Sequence, residues 1–194
     1  MSPKIIFLIG RPGCGKGTQL DFLIKETGFE FIKTGAELRK RAKNEDAIGR
    51  RINEALSSGK LIPTPLVFMI WMPLLIDFHE REVEGVVFDG NPRKLYEAKM
   101  LEEVFEMFEW DEIVACHIHI SEEEAYERLK KRGRSDDTGE DIKERLSWFK
   151  DEVEPVIEHF RERGSLVEVN GENSVEGVWE ELRAKLKPFL EKGE

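Results

Sequence analysis

The sequence predicts an α/β fold, with a parallel five-stranded sheet that is covered by helices. Short apolar, β-branched runs of strand length alternate along the chain with longer stretches of helical length. The first of these runs, at 5–9, passes directly into a glycine-rich loop and then into a helical pattern. Strands that alternate with helices in this way pair in parallel, and helices cover both faces of such a sheet.

The predicted elements are closely spaced. The strands are apolar runs at 5–9, 29–33, 85–89, 113–120 and 166–169. The helices follow amphipathic or continuously apolar patterns at about 16–27, 34–41, 46–58, 65–82, 93–108, 122–131, 137–163 and 175–190. Thr34 is predicted to cap the second helix, and the helix at 137–163 is predicted as one long element that contains Pro155.

The chain is predicted to form one domain over 1–194. Its 194 residues are 40% hydrophobic, which is enough for one sizeable core, and no low-complexity linker divides them. The two charged helices within 34–63 are expected to project from a core formed by 1–33 and 64–194. Because nothing in the sequence indicates an obligate interface, we expect a monomer.

Composition excludes several classes of partner. The formal net charge of −10 disfavours a nucleic-acid partner, because a phosphate backbone would be repelled. The longest apolar run, 66–78, contains Pro73 and is too short to span a bilayer, and the first residues are not a signal peptide. Cys14 and Cys116 lie in the loop and in an apolar strand, which does not suggest a disulfide framework. We therefore expect a cytoplasmic protein with no membrane partner.

The glycine-rich loop is the strongest chemical signal. Residues 10–18 read Gly-Arg-Pro-Gly-Cys-Gly-Lys-Gly-Thr. The glycines let backbone N–H groups surround an anion, the following helix adds partial positive charge, and Lys16 can reach terminal phosphates. Thr18 can offer its hydroxyl to magnesium, although the usual pattern has Ser or Thr directly after the Lys, where this chain has Gly17. The loop predicts a nucleotide phosphate site.

This form of the loop resembles that of nucleoside monophosphate kinases, above all adenylate kinases, and the resemblance covers nearly the whole chain. It implies a P-loop NTPase fold with a small helical acceptor-binding excursion and a very short lid. Only Gly133 separates Arg132 from Arg134, so the lid is predicted to be a turn at about 132–137. The implied reaction is reversible phosphoryl transfer from Mg-ATP to a nucleoside monophosphate, with AMP as the expected acceptor (ATP + AMP = 2 ADP).

The resemblance also implies which residues bind the donor. The implied ATP-binding residues are Gly13, Cys14, Gly15, Lys16, Gly17, Thr18, Arg128, Arg132 and Asn173. The implied cofactor is Mg²⁺, bound directly by Thr18 and through water by Asp89. Ala36 stands where the family often has an acidic residue near the metal, and Glu37 is an alternative source of that charge.

Three motifs imply the acceptor site. Residues 34–39 resemble the family's Thr-Gly-Asp-x-x-Arg, 59–63 its Gly-x-Leu-Val-Pro, and 89–93 its Asp-Gly-Phe-Pro-Arg, in which Asn91 replaces the aromatic residue. The implied acceptor-binding residues are Thr34, Arg39, Lys60, Leu61, Ile62, Gly90, Arg93, Glu97, Arg134 and Arg145.

The implied catalytic residues are all cationic. They are Lys16, Arg93, Arg132, Arg134 and Arg145. Phosphoryl transfer spreads charge over the equatorial oxygens of the transferred group, so positioning and electrostatic stabilisation supply most of the catalysis. Neither a protein nucleophile nor a general base is needed, because an acceptor phosphate is already ionised.

Glu97 leaves the acceptor base open. It stands four residues after Arg93, where adenylate kinases usually carry a Gln. An ionised Glu only accepts hydrogen bonds and would face the lone pair of adenine N1, so GMP or CMP/UMP are alternative acceptors. Glu97 could equally pair with Lys94 or point to solvent. A nucleotide-binding regulatory switch and a small-metabolite kinase are more distant alternatives.

Overall fold

A five-stranded sheet organises the part of the chain that the computed structural model describes, namely residues 2–133 and 139–191, with only the backbone of 139–141. The strands are β1 (Lys4–Ile9), β2 (Glu30–Ile32), β3 (Gly85–Asp89), β4 (Ile113–His119) and β5 (Leu166–Asn170). All neighbours are parallel and the order is β2-β3-β1-β4-β5. The predicted α/β class and the parallel five-stranded sheet are confirmed.

The helices lie between and after these strands. Those before β3 are α1 (Lys16–Thr27), α2 (Thr34–Arg41), α3 (Ala47–Ser57) and α4 (Thr64–Glu80). Those after it are α5 (Leu95–Met107), α6 (Glu122–Arg132), α7 (Gly139–Trp148), α8 (Glu154–Glu162) and α9 (Val175–Leu190). No helix in the described ranges has the length and apolar character to cross a membrane.

Side chains that alternate along β1 form two separate cores. Phe7 points to one face, where its ring packs on Phe88 and Phe160 beneath α4, α5 and α8. Ile6 and Leu8 point to the other face and pack with residues of α1, α6 and α9. Because helices cover both faces of the sheet, the strands are continuous apolar segments in the sequence. The polar groups concentrate at the carboxyl ends of the strands.

The long helix predicted at 137–163 is helical throughout 139–162, but a π-helical turn divides it into two α-helices. Helix α7 ends at Trp148, a π-helical turn spans Phe149–Val153, and α8 begins at Glu154. Pro155 has no N–H to donate to the carbonyl four residues earlier, and its ring crowds that carbonyl. The backbone instead widens by one residue, so that the amide of Glu154 donates to the carbonyl of Phe149. The start predicted at Asp137 lies outside the described residues.

Thr34 does not cap α2, contrary to the prediction. It is the first residue of the helix, it is 1% exposed, and no side-chain cap forms at Lys33 before it. Its hydroxyl oxygen accepts a hydrogen bond from Nε1 of the fully buried Trp71, at 2.9 Å. This bond joins the start of α2 to the middle of α4. The division into a core and an excursion at 34–63 stays a prediction.

Burial of His117 in β4 should make stability depend on pH. Its side chain is buried against Phe149, with Glu168 3.5 Å from Nδ1 and His119 and Lys16 nearby, and desolvation lowers its pKa from 6.5 to about 4. The unfolded chain therefore binds this proton at a higher pH than the native protein does. The free energy of unfolding should fall as pH drops from about 6.5 to about 4, by about 3 kcal/mol from this group alone.

Chemical denaturation at pH 7.5 and pH 4.5 measures this loss. The His117→Gln variant should lose about 2 kcal/mol less than the wild type between these two pH values, because the titrating ring is gone. His79→Gln, at an exposed histidine of α4, is the control and should behave like the wild type. Equal losses in the wild type and His117→Gln would contradict the prediction.

Candidate active site

A cleft of about 520 Å³ lies at the carboxyl ends of β1 and β3. Its lining includes the glycine-rich loop, the start of α1, α2 and the loop after β3. Residues of α6 and α7 line it as well. Ligands of parallel α/β sheets bind at such an edge, where the chain connections diverge to opposite sides of the first strand.

The glycine-rich loop has the backbone that an anion cradle needs. Gly13 has a φ of +88°, and a Cβ there would lie 3.0 Å from the carbonyl oxygen of Ala125. Gly15 precedes α1 in the left-handed region, so the helix begins at Lys16 with its positive end towards the cleft. Any side chain at Gly13 would press against α6 and change the path of the loop.

Lys16 extends back over this loop. Its Nζ donates to the carbonyl oxygens of Gly10 at 2.7 Å and Arg11 at 3.0 Å, and lies 3.3 Å from Sγ of Cys14. The loop therefore holds a cationic group over its own backbone. Cys14 is 2% exposed and packs into the core beneath, so its side chain does not line the cleft.

The loop after β3 lies close to Lys16. Gly90 has a φ of +75°, and a Cβ there would lie 3.3 Å from Cε of Lys16. Asp89, the last residue of β3, lines the cleft, as does Thr18 at the start of α1. A carboxylate and a hydroxyl thus lie in the same cleft as the lysine. Ala36 also lines it, whereas Glu37 is absent from the described lining.

Guanidinium groups surround the rest of the cleft. Those that line it are Arg39, Arg93, Arg128, Arg132 and Arg145. The carbonyl of Gly90 accepts from Nε of Arg93 at 2.9 Å. Burial lowers the pKa of the Arg93 guanidinium, and the charges of Glu97 and Asp89 act to raise it. Arg128 donates to Glu124 at 2.6 Å and to the carbonyl of Gly171 at 2.9 Å, which fixes it across α6 and the end of β5.

Arg134 and Asn173 are predicted site residues that the described structure does not show in the cleft or in a pocket beside it. Arg134 lies outside the described residues, as does most of the turn predicted at about 132–137. Asn173 is exposed in the turn between β5 and α9 and is absent from the described lining. It lies two residues from Gly171, whose carbonyl Arg128 contacts.

A narrow second pocket adjoins the cleft, sharing Leu38, Ile62 and Arg93 with it. Its complete described lining is Thr34, Leu38, Leu61, Ile62, Val67, Asn91, Arg93 and Glu97. Five of the predicted acceptor-binding residues meet there, namely Thr34, Leu61, Ile62, Arg93 and Glu97. Lys60 and Gly90 line the larger cleft.

Glu97 neither points to solvent nor relies on Lys94, so those two interpretations are wrong. It is 2% exposed, and Oε2 accepts from the backbone N–H of Arg93 at 2.8 Å. Oε1 lies 3.4 Å from the hydroxyl of Thr64, which donates to it. Glu97 is the third residue of α5, where an acidic side chain can reach back to an amide that precedes the helix.

Comparisons with known proteins give the family. The sequence profile of the family described as "Adenylate kinase" matches residues 8–165. The chain is 33% identical to an "Adenylate kinase" of Azobacteroides pseudotrichonymphae over 187 residues, covering 93% of this chain and 96% of that protein. It is also 33% identical to one of Prochlorococcus marinus over 186 residues, covering 96% and 100%. An "Adenylate kinase" of Bacteroides fragilis is 33% identical over 181 residues, covering 91% and 95%.

The chain belongs to the adenylate kinase family. The resemblance predicted from the motifs is thereby confirmed, together with the P-loop NTPase fold. The profile match begins within β1 and includes the loop, α2 and the residues after β3.

Sequence reasoning missed one aromatic side chain of this adenylate kinase site. Trp148, the last residue of α7, lines the cleft, donates from Nε1 to the carbonyl of Gly59 at 3.1 Å, and has Arg93 5.6 Å from its ring. It links α7 to the turn after α3. A tryptophan inside a charged helical stretch indicates a buried or binding position. The sequence could not show its partners, because they lie far away along the chain.

Replacing Glu97 by Gln should change the ranking of acceptors. Gln can still accept from the N–H of Arg93 through its oxygen, while its amide nitrogen adds a donor. The ratio of kcat/KM for AMP to that for GMP should rise about tenfold in Glu97→Gln. Glu103→Gln, an exposed change on the same helix, is the control. An unchanged ranking in Glu97→Gln would mean that residue 97 does not contact the base.

Proposed function

We propose that this adenylate kinase family member transfers the γ-phosphoryl group of Mg-ATP reversibly to AMP (ATP + AMP = 2 ADP). One observation carries the proposal: the glycine-rich loop with Lys16 lines the same cleft as Arg39 and Arg93. Two groups of phosphate-binding side chains in one cleft suit a transfer between two nucleotides. Hydrolysis of one nucleotide would need only the first group.

The donor side consists of the loop and the residues of α6 beside it. We assign ATP binding to Gly13, Cys14, Gly15, Lys16, Gly17, Thr18, Arg128, Arg132 and Asn173. Backbone amides of the loop and the start of α1 would hold the phosphates, and Cys14 would contribute its backbone only, because its side chain is buried. On ATP binding, Lys16 would exchange its carbonyl partners in the loop for phosphate oxygens.

The acceptor side combines the cleft wall with the narrow pocket. We assign the monophosphate to Arg39, Arg93, Arg134 and Arg145, whose planar forks suit two parallel hydrogen bonds to phosphate. The nucleoside would lie among Thr34, Lys60, Leu61, Ile62, Gly90 and Glu97. Several of these residues come from α2 and the segment before α4, so movement of those elements would bring the acceptor in line with the donor.

Catalysis in this proposal rests on positioned positive charge. Lys16, Arg93, Arg132, Arg134 and Arg145 would stabilise the charge that develops on the transferred group and its flanking oxygens. The attacking atom is an oxygen of the AMP phosphate, the bond that breaks joins the γ-phosphorus to the β,γ-bridging oxygen, and ADP leaves. No proton has to be removed from the acceptor, because its phosphate is already ionised.

Magnesium fits the oxygen donors of this cleft. A hydroxyl from Thr18 and a carboxylate from Asp89 line it, and Mg²⁺ is commonly held by one or two such groups together with substrate phosphates. No cluster of three or more His, Cys, Asp or Glu in the described ranges forms a dedicated metal site, which agrees with that mode. When bound, the ion would neutralise charge on the donor phosphates.

We further infer a monomeric cytoplasmic enzyme. Both cysteines carry buried thiols, as suits a reducing compartment.

The test is an acceptor panel with Mg-ATP. AMP, GMP, CMP and UMP are supplied separately at matched concentrations, and ADP formation is compared with a reaction that has no acceptor. AMP should exceed every other acceptor by at least about tenfold in kcat/KM, which corresponds to about 1.4 kcal/mol. Preferred use of another monophosphate would overturn the choice of AMP, and no transfer to any of them would overturn the kinase function.

A further inference from the structure

The side chain of Asn91 is buried beside the proposed acceptor site, and its carbonyl oxygen forms no hydrogen bond with the described residues. It lies in the loop directly after β3, is 3% exposed, and lines the narrow pocket together with Glu97 and Ile62. Its Oδ1 is inaccessible and has no hydrogen-bond partner among the described residues. Buried polar atoms without a partner are uncommon in folded proteins, because leaving one unpaired is costly. Asn91 therefore needs a partner from outside the fold.

The neighbouring polar groups of the pocket are already engaged with the protein. The oxygens of Glu97 accept from the backbone N–H of Arg93 and from the hydroxyl of Thr64. The hydroxyl oxygen of Thr34 accepts from Trp71. As a carboxylate, Glu97 can only accept, so it cannot match an edge that presents both a donor and an acceptor. A carboxamide can, because it carries both kinds of group side by side.

We propose that Asn91 recognises the adenine of the acceptor nucleotide. The inference rests on the proposed function and names the group that selects its substrate. The 6-amino group of adenine donates to Oδ1, and the adjacent ring nitrogen N1 accepts from Nδ2. This pairing uses two parallel bonds, as asparagine does with other edges of adenine.

The size of the pocket sets how the base approaches. Its volume is about 10 Å³, close to the minimum for one water molecule. The ring therefore lies in the adjoining cleft, and the pocket has to widen on acceptor binding for the edge of the ring to reach Oδ1 of Asn91. One ordered water that satisfies Oδ1 and stays in place is the competing explanation, and it predicts no discrimination between bases at this residue.

Calorimetric binding without ATP tests the proposal. The probes are AMP and purine riboside 5′-monophosphate, which lacks the 6-amino group. The wild type should bind AMP at least about tenfold more tightly, and in Asn91→Leu the two affinities should agree within about threefold. Asn53→Leu, at an exposed position of α3, is the matched control and should keep the full ratio.

A second variant protects the test against a folding defect. Asn91→Asp keeps the shape and one acceptor but removes both N–H donors, so it should weaken AMP binding at least about tenfold. Its binding of ATP should stay within about twofold of the wild type. An AMP preference that persists in Asn91→Leu, or AMP binding that is unchanged in Asn91→Asp, would overturn the proposal. The proposed function fails separately, through a wild type that transfers no phosphoryl group to AMP.

Discussion

Lys16→Met should lower kcat/KM for ATP by about 10³-fold while the protein stays folded. The ammonium of Lys16 lies over the glycine-rich loop within 3.0 Å of two loop carbonyls, so it is placed where donor phosphates would bind. Removing one well-placed electrostatic group from a site of this kind typically costs about 10² to 10³ in rate. The larger value is expected here, because phosphoryl transfer depends almost wholly on such groups.

Steady-state kinetics at saturating AMP measures this effect. Lys25→Met removes an exposed lysine from the same helix and should leave kcat/KM within about twofold of the wild type. Thermal unfolding of both variants shows whether the fold is intact. A Lys16→Met enzyme with more than a tenth of the wild-type activity would show that Lys16 does not bear on the transferred group.

Arg93→Lys should reduce kcat/KM for AMP by about 10²-fold with a much smaller effect on the KM for ATP. Arg93 is held by the hydrogen bond from its Nε to the carbonyl of Gly90 and by the contact of its guanidinium group with the ring of Trp148. The carboxylate of Glu97 accepts a hydrogen bond from the backbone N–H of Arg93. A lysine keeps the charge but loses the planar fork that can bind two phosphate oxygens at once.

The separation between the two substrates is the decisive readout for Arg93. Arg183→Lys, at an exposed arginine of α9, serves as the matched control and should have wild-type constants. If Arg93→Lys raised the KM for ATP as strongly as that for AMP, Arg93 would belong to the donor side and the assignment of the two sides would need revision.

Much of the fold followed from local signals in the sequence. The helix predicted at about 16–27 has the observed bounds because Gly15 and Gly28 flank it in left-handed conformations that only glycine adopts readily. The strand predicted at 85–89 has its observed bounds because a continuous apolar run ends at Asp89. The phosphate loop was equally local, since glycine spacing and one lysine define it.

The remaining features depend on contacts between distant parts of the chain. Glu97 can be buried because the N–H of Arg93 and the hydroxyl of Thr64 donate to its oxygens. The sequence around Glu97 gives no indication that Thr64, 33 residues earlier, is a partner. Thr34 was predicted to cap a helix, but its hydroxyl instead bonds Trp71, which lies 37 residues away along the chain. Pro155 was visible in the sequence, but whether a helix bends, ends or widens before a proline depends on how the flanking turns pack.

The most direct test of the central claim supplies ADP as the only nucleotide, with Mg²⁺. Phosphorus NMR then follows every product without a coupling enzyme. We predict that ADP converts to ATP and AMP in equal amounts, because one cleft binds two nucleotides and exchanges a phosphoryl group between them. Absence of ATP, or the appearance of AMP with free phosphate instead, would contradict a transferase that holds donor and acceptor together.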